Sequence, residues 1–283
     1  MPLDFMNVAP ANIVHENNLR LPDALTINHG PARLLSRFVL EGDRHARQAG
    51  VHLRLRLDFD ELLYLNQEHV ARGWWVPLAG AFNPNSADLN PGNAFWISAE
   101  DEIGEVVATW AARIYDWTGT NLAEQIRAAW YGRDLDQPYE LTADAAKRIT
   151  GTVLCGGAAW VRPDFRGKHL SHLVPRLGKA YACGGWPLDW SFCYISRRNV
   201  DKGLADSFGQ KNLSFSILYP DSPWGEAVIA YTAIEDVYED FAKFLSSDLL
   251  GQDSGPAAVG TTREHMVRNI SRESVLHGNN SRS

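Results

Sequence analysis

One segment of the chain combines residue types that bind an anion. Small and apolar residues over 152–161 lead through Arg162 and Pro163 into the loop Arg166-Gly167-Lys168-His169-Leu170-Ser171, and the apolar spacing of a helix follows. The first amides of a helix lack backbone partners, and that end carries a partial positive charge. Arg166 and Lys168 add countercharge, so the segment predicts an anion-binding loop with a diphosphate as its natural guest. The alternative is a basic surface turn before an ordinary helix.

Residues 161–174, VRPDFRGKHLSHLV, resemble the signature of the GNAT acetyltransferases, in which this loop holds the pyrophosphate of coenzyme A. His169 and Ser171 stand where the family has glycine. The resemblance is clearest over 150–232 and is architectural over 51–115. The spacing excludes a nucleotide P-loop. The positions that fit or nearly fit are Val161, Pro163, Phe165, Arg166, Gly167, Lys168, Leu170 and Val174.

The resemblance implies a co-substrate and residues that contact it. The co-substrate is acetyl-CoA, or another acyl-CoA, without a metal. Backbone groups of Trp160 and Val161 would pair with the pantetheine amides like an added strand. Asn199 would lie near the pantetheine arm or stabilise the following turn. The implied cofactor-binding residues are Trp160, Val161, Arg166, Gly167, Lys168, His169, Leu170, Ser171 and Asn199.

Residues for proton transfer are less clear. In the family an amine attacks the acyl thioester directly within a ternary complex, so a base and an acid are needed. The tyrosine that often acts as the acid is missing from 204–208, where Ser207 offers a hydroxyl and a local cap is its structural alternative. Asp189 is the best candidate base because strand 152–159 has no carboxylate. A water relay and a structural ion pair of Asp189 are the alternatives.

The resemblance also suggests the acceptor, a small-molecule amine. Segment 74–93, with Trp110, Tyr115 and Trp117, is expected to face the acyl group and favours an aromatic or apolar acceptor. The alternative is that these tryptophans fill the core beneath long loops.

Composition argues against several classes of protein. The 34 acidic and 27 basic residues give a net charge of −7, which argues against a nucleic acid partner. No stretch is long and apolar enough to span a membrane, and no signal segment begins the chain, so we expect a soluble, cytoplasmic protein. The three cysteines form no ligand pair, and His169 and His172 lack a third ligand, so no metal site is expected. A homodimer is left open.

The expected fold class is α/β (α+β), a GNAT-like mixed and largely antiparallel central sheet that is flanked by helices and has splayed parallel central strands. Residues 1–50 are expected to be an N-terminal extension that begins as irregular chain. Residues 51–247 form the acyltransferase domain, with insertions at 74–93 and 116–149, and 248–283 form a flexible tail.

Periodicity gives the elements. Predicted strands cover 51–57, 94–98, 106–115, 152–161, 188–195, 213–219 and 226–232. Predicted helices cover 32–49, 58–73, 122–131, 143–148, 170–183, 199–208 and 234–245.

Three functions are compatible with these features. The leading one is an N-acyltransferase, acetyl for preference, that acts on a small amine. The second is a non-catalytic acyl-CoA-binding module, which the missing acid and base would suit. The third is a transferase for longer acyl chains.

Overall fold

The computed structural model describes residues 18–131, 140–141, 143–218 and 226–247. The strands are β1 Leu19–Arg20, β2 His52–Arg56, β3 Ala94–Glu100, β4 Val106–Trp117, β5 Glu140–Leu141, β6 Gly151–Val161, β7 Trp190–Ser196, β8 Asn212–Leu218 and β9 Glu226–Ala233. The helices are α1 Leu21–Ala24, α2 Ala32–Gln48, α3 Phe59–Ala71, α4 Leu122–Tyr131, α5 Leu170–Gly185, α6 Arg197–Val200, α7 Leu204–Ser207 and α8 Ile234–Ser246. Short 3-10 turns occupy Gly80–Phe82, Asp144–Lys147 and Pro163–Phe165.

The strands form one sheet in the order β1-β2-β3-β4-β6-β7-β9-β8-β5. Among the described strands, β6 and β7 are the one parallel pair, and every other neighbouring pair is antiparallel. Parallel neighbours need a crossover connection, which α5 supplies. The predicted fold class, a mixed and largely antiparallel sheet with parallel central strands, is confirmed.

Helices cover both faces of this sheet. On one face α2, α5 and α8 bury Phe38, Leu177 and Phe241 in the largest apolar cluster. On the other face α3 and α4 bury Leu62 and Ile126 in a second cluster. Helix α2 therefore contributes to the main core. The division into an extension, a domain and a tail stays a prediction, and 1–17 and 248–283 lie outside the described residues.

Signals in the local sequence explain why β2 and α3 form. Leu53 and Leu55 are buried, and Arg54 and Arg56 pair from the other side with Glu100 at 2.9 and 2.6 Å. The Asp58 carboxylate accepts from the first amides of α3, as an N-cap does, at 2.9 and 3.2 Å. Period-two and capping signals are local, so both elements were predictable.

Two predictions of secondary structure are wrong. The helix predicted for 199–208 is two short helices, α6 and α7, because Gly203 between them adopts a left-handed conformation with φ of 79° that ends a helix. Irregular chain was expected before residue 30, but β1 pairs with β2 and α1 buries Leu21 against the main core. Pairing with a distant strand is a tertiary effect that local composition does not show.

Candidate functional site

The parallel strands β6 and β7 separate part-way along their length and form a fork. They pair from Val153 opposite Trp190 to Gly156 opposite Cys193. Beyond that point β6 continues to Val161 without a β7 partner among the described residues. The unpaired edge of β6 can therefore accept an extended ligand as an added strand.

An irregularity in β6 lies just beyond the fork. The register with β4 shifts between Thr109 and Ala111, and Ala158 has a φ of 49°. The Thr109 hydroxyl donates to the Ala158 carbonyl at 2.8 Å. Such bulges bend a strand and re-aim its groups, so this bulge accompanies the divergence of β6 from β7.

The loop after β6 exposes the amino end of α5. His169 stands at the N-cap with a φ of 57°, and no side chain caps the helix. The amides of His172 and Leu173 donate to the His169 carbonyl at 3.0 and 3.1 Å. The amides of Leu170 and Ser171 have no protein acceptor within the described chain. Together with the helix dipole, these donors suit an anion.

The three cations near this loop differ in their partners. Arg162 is held by Asp101, Glu105 and Asp164 at 2.8 to 3.1 Å. Lys168 donates to the Ala49 carbonyl at 3.2 Å and lies over the Phe165 ring. Arg166 makes only a long bond of 3.4 Å to the Val161 carbonyl within the described chain. Arg166 is thus the cation available to a ligand.

These features border one cleft of about 520 Å³. It includes eight of the nine predicted cofactor-binding residues and leaves out Lys168. The lining residues are Gly73, Trp74, Trp75, Val76, Ala159, Trp160, Val161, Phe165, Arg166, Gly167, His169, Leu170, Ser171 and Asn199.

An aromatic stack closes one side of the cleft. Trp160 stacks on His69 at 4.1 Å and on Trp75 at 5.2 Å between ring centroids. Trp74 stacks on the same His69 at 5.8 Å and remains 41% exposed. Burial, and Arg72 nearby, lower the pKa of His69, so a neutral imidazole packs among the indoles. Segment 74–93 was expected to face the acceptor, whereas Trp74 and Trp75 border the same cleft as the loop 166–171.

Histidines surround the amino end of α5. The His169 and His172 rings are 5.8 Å apart. Burial lowers the pKa of His45 on α2, and charges on His169 and Arg44 add to this effect. Burial also lowers the pKa of His172, with contributions from Arg176 and His169. Among the described residues, no group of His, Cys, Asp and Glu side chains could hold a metal ion.

The two predicted catalytic residues lie outside the cleft. The Asp189 carboxylate accepts from the Thr152 amide at 2.8 Å, at the start of β6. From Thr152 to Trp160 the strand extends about 26 Å at the usual rise per residue, so Asp189 lies far from the loop. The Ser207 hydroxyl donates to the Leu204 carbonyl in its own turn at 2.8 Å. Neither side chain borders the cleft.

Buried cations fix the turn that contains Ser207. Arg176 pairs with Asp240 and donates to the Ser207 carbonyl at 2.6 Å. Lys179 donates to the Phe208 carbonyl at 2.5 Å, and burial lowers the pKa of Lys179 to about 8. These bonds attach α7 to α5 and give Ser207 a structural environment.

The aromatic residues of β4 that were expected to face the acceptor differ in burial. Trp110 and Trp117 are 2% and 3% exposed. Trp110 packs against Gly156 and Gly178, where a Cβ atom would meet its ring. Trp110 is therefore a core residue, as the alternative held. Tyr115 is half-buried and stacks on Trp117 at 4.8 Å.

Comparisons with solved structures give likenesses at low identity. RimJ of Mycobacterium smegmatis in complex with CoA-disulfide has 13% identity and a TM-score of 0.42 over 69% of this chain and 90% of that one. Arabidopsis thaliana NAA60 in complex with acetyl-CoA has 14% identity and a TM-score of 0.41 over 65% and 99%. The aminoglycoside acetyltransferase AAC(6')-Ib in complex with coenzyme A and kanamycin has 14% identity and a TM-score of 0.39 over 66% and 98%.

The fold is of the GNAT type. The strand order, the parallel β6 and β7 pair and the α5 crossover of this chain form the arrangement that the sequence resemblance implied. No family model and no curated protein matches the chain. Within the described ranges, no helix is long and apolar enough to cross a membrane.

Proposed function

We propose that this protein is an N-acyltransferase that uses acetyl-CoA, or another acyl-CoA, and a small-molecule amine. The observation that carries the proposal is the coincidence in one cleft of an uncapped helix end, an unpaired cation on Arg166 and an unpaired strand edge. These three features match a diphosphate and an extended arm that bears amides. Residues far apart in the chain, from Gly73 to Asn199, converge there.

Acyl-CoA would supply an activated thioester. The loop amides of 166–171 and the Arg166 guanidinium bind the diphosphate, and the β6 edge from Ala159 to Val161 orients the arm. Trp75 and Trp160 exclude water from one side. Transfer forms a bond between nitrogen and the acyl carbon and breaks the bond between that carbon and sulfur. The nitrogen, which starts as an ammonium, loses two protons: one goes to solvent and one goes to the thiolate.

Proton transfer in this proposal uses water. The titratable side chains at the cleft are Arg166 and His169, and both lie at the diphosphate end. Asp189 and Ser207 are engaged in local hydrogen bonds outside the cleft. A water relay, which the missing strand carboxylate already suggested, is therefore the route that best fits these positions.

A second candidate is a non-catalytic acyl-CoA-binding module. The specific observation in its favour is that none of the cleft-lining side chains is a carboxylate or a tyrosine. The two candidates share the binding site and differ in turnover. The aromatic stack of Trp74, Trp75 and Trp160 is compatible with an acyl chain longer than acetyl in either case.

The test is calorimetric titration of acetyl-CoA into the wild type and into Arg166→Ala. We expect micromolar binding that weakens about tenfold in the variant, which corresponds to about 1.4 kcal/mol. Release of free thiol with an amine panel then separates the transferase from the binding module. No heat with acetyl-CoA or with longer acyl-CoA donors contradicts both.

A further inference from the structure

Arg113 on β4 lies in an apolar environment on the sheet face covered by α3 and α4. Its register partner on β6 is Cys155. Cys155 stands opposite Phe192 on β7, which stands opposite Tyr231 on β9. We call these four residues the Arg113 row. Residues directly opposite one another share a sheet face, and Cys155 and Phe192 belong to the second apolar cluster.

Among the described residues, the charge on Arg113 has no counter-ion. Arg113 is half-buried, and its Nε atom is buried without a hydrogen-bond partner. Within the described chain no carboxylate lies at ion-pair distance from Arg113. Other partly buried arginines have one: Arg54 and Arg56 pair with Glu100, Arg162 pairs with Asp101, and Arg176 pairs with Asp240, at 3.1 Å or closer.

The neighbours of Arg113 do not neutralise it. The guanidinium carbon lies 4.9 Å from the centroid of the Tyr115 ring. Burial raises the pKa of Tyr115, which keeps the phenol neutral, although a hydrogen bond with Arg113 opposes this effect. The buried Arg113 donor calls for an acceptor oxygen, since an unpaired buried polar group is costly.

The position of Arg113 relative to the fork indicates which reactant would carry an oxygen that accepts from Arg113. The last paired residues of the fork are Gly156 and Cys193, one position beyond the Arg113 row. Gly157, where β6 leaves β7, is about 7 Å along the strand from Cys155. An arm that enters from the loop and follows the edge of β6 ends at this fork. Arg113 therefore lies on the far side of the arm's reactive end.

We infer that Arg113 binds the carboxylate of the acceptor, so that the amine substrate is amino-acid-like, with its amine directed toward the fork between β6 and β7. This inference rests on the proposed function and names the substrate class of the same site. The aromatic surroundings, Phe192 and Tyr115, favour an apolar or aromatic side chain on that substrate. A guanidinium binds a carboxylate through parallel hydrogen bonds, which a lysine cannot reproduce.

The experiment compares matched acceptors in the presence of saturating coenzyme A, which permits a ternary complex without turnover. The probes are phenylalanine with phenylethylamine, tryptophan with tryptamine, and leucine with isopentylamine, so each pair differs by one carboxylate. Affinities are measured calorimetrically for the wild type, Arg113→Gln and Arg113→Lys. Arg33→Gln, an exposed arginine on α2, is the matched control.

We expect the wild type and Arg33→Gln to bind the carboxylated member of at least one pair tenfold or more tightly. The preference should fall below threefold in Arg113→Gln and be partly kept in Arg113→Lys. Equal affinities in every pair, absence of binding by all three amino acids, or an unchanged preference in Arg113→Gln would overturn the inference. Binding of coenzyme A itself reports on the proposed function independently, because Arg113 does not border the cleft.

A stability measurement distinguishes ligand binding from a structural role. If Arg113 serves a ligand, ligand-free Arg113→Gln should unfold at the same or a higher urea concentration than the wild type, because the variant removes an unpaired buried charge. A marked loss of stability in the ligand-free variant would assign Arg113 to the fold and overturn the inference.

Discussion

The Lys168 ammonium donates to the Ala49 carbonyl at 3.2 Å, next to the carboxyl end of α2. This bond attaches Lys168, in the loop before α5, to the end of α2. Lys168 does not line the cleft, whereas Arg166 does. The two cations that the sequence grouped together therefore have different roles in this structure.

The first prediction separates these two cations. Arg166→Ala should weaken acetyl-CoA binding about tenfold, since charge-assisted hydrogen bonds contribute about 1.5–3 kcal/mol. Lys168→Ala should weaken binding less than about threefold, because its contribution is a distant, solvent-screened charge. Calorimetry with both variants measures the difference. Equal losses in the two variants would contradict the assignment.

His169 should be strained by its left-handed backbone, with a φ of 57°. The strain of this conformation is about 1–2 kcal/mol for a residue with a Cβ atom and is absent for glycine. We therefore expect His169→Gly to be more stable than His169→Ala by about 1 kcal/mol, measured by urea unfolding. At Gln67, exposed within α3, the order should reverse, because alanine favours a helix over glycine. If alanine is more stable than glycine at both positions, or glycine more stable than alanine at both, the strain at His169 is refuted.

Asp189 should prove structural. Its carboxylate accepts from the Thr152 amide, and an asparagine can accept the same bond. Asp189→Asn should keep the free energy of unfolding within about 0.5 kcal/mol, and Asp189→Ala should lose about 1 kcal/mol. Acyl transfer per folded molecule should be unchanged in both. A loss of turnover in Asp189→Asn at unchanged stability would restore the catalytic role predicted from the sequence.

Gly178 in α5 should not tolerate a methyl group. A Cβ atom there would lie 2.2 Å from the Trp110 ring, and that ring is buried. Gly178→Ala gains about 1 kcal/mol of helix propensity, but overpacking costs about 1–3 kcal/mol or more, so we expect a net loss in urea unfolding. The double variant with Trp110→Leu should recover stability relative to Trp110→Leu alone. A stabilised Gly178→Ala would contradict the close contact.

Stability should fall as the pH drops below about 6.5, the pKa of an unperturbed histidine. Burial lowers the pKa of His45, His69 and His172 in the folded chain. At a pH between each lowered pKa and 6.5, the unfolded chain binds more protons than the folded chain. The free energy of unfolding therefore increases with pH in that window and levels off above it. Unfolding in urea at pH 7.5 and pH 5 measures the drop.

The matched variant for this pH effect is His45→Gln. His45 has a buried Nδ1 atom without a partner among the described residues, and the charges on His169 and Arg44 oppose its protonation. The variant should show a smaller loss between pH 7.5 and pH 5. An identical loss in the variant and the wild type would exclude His45 as a contributor.

The local elements and the chemistry of the loop are encoded in short stretches of the sequence. The alternation in β2, the Asp58 cap of α3 and the motif before α5 are encoded within a few residues of each other, so β2, α3 and the uncapped α5 end were predictable. Of the eight predicted cofactor-binding residues that border the cleft, seven lie within 160–171, and the eighth is Asn199.

Which side chains meet depends on contacts between distant segments. Trp110 and Trp74 are both tryptophans, yet one lies against Gly156 and Gly178 in the core and the other borders the cleft. Asp189 and the loop belong to neighbouring segments, yet they lie at opposite ends of the β6 strand. Register, strand direction and helix crossings between distant segments set these positions, and a local pattern carries no information about the partner across the sheet. The lack of a counter-ion for Arg113 among the described residues is likewise a property of distant segments and not of its local sequence.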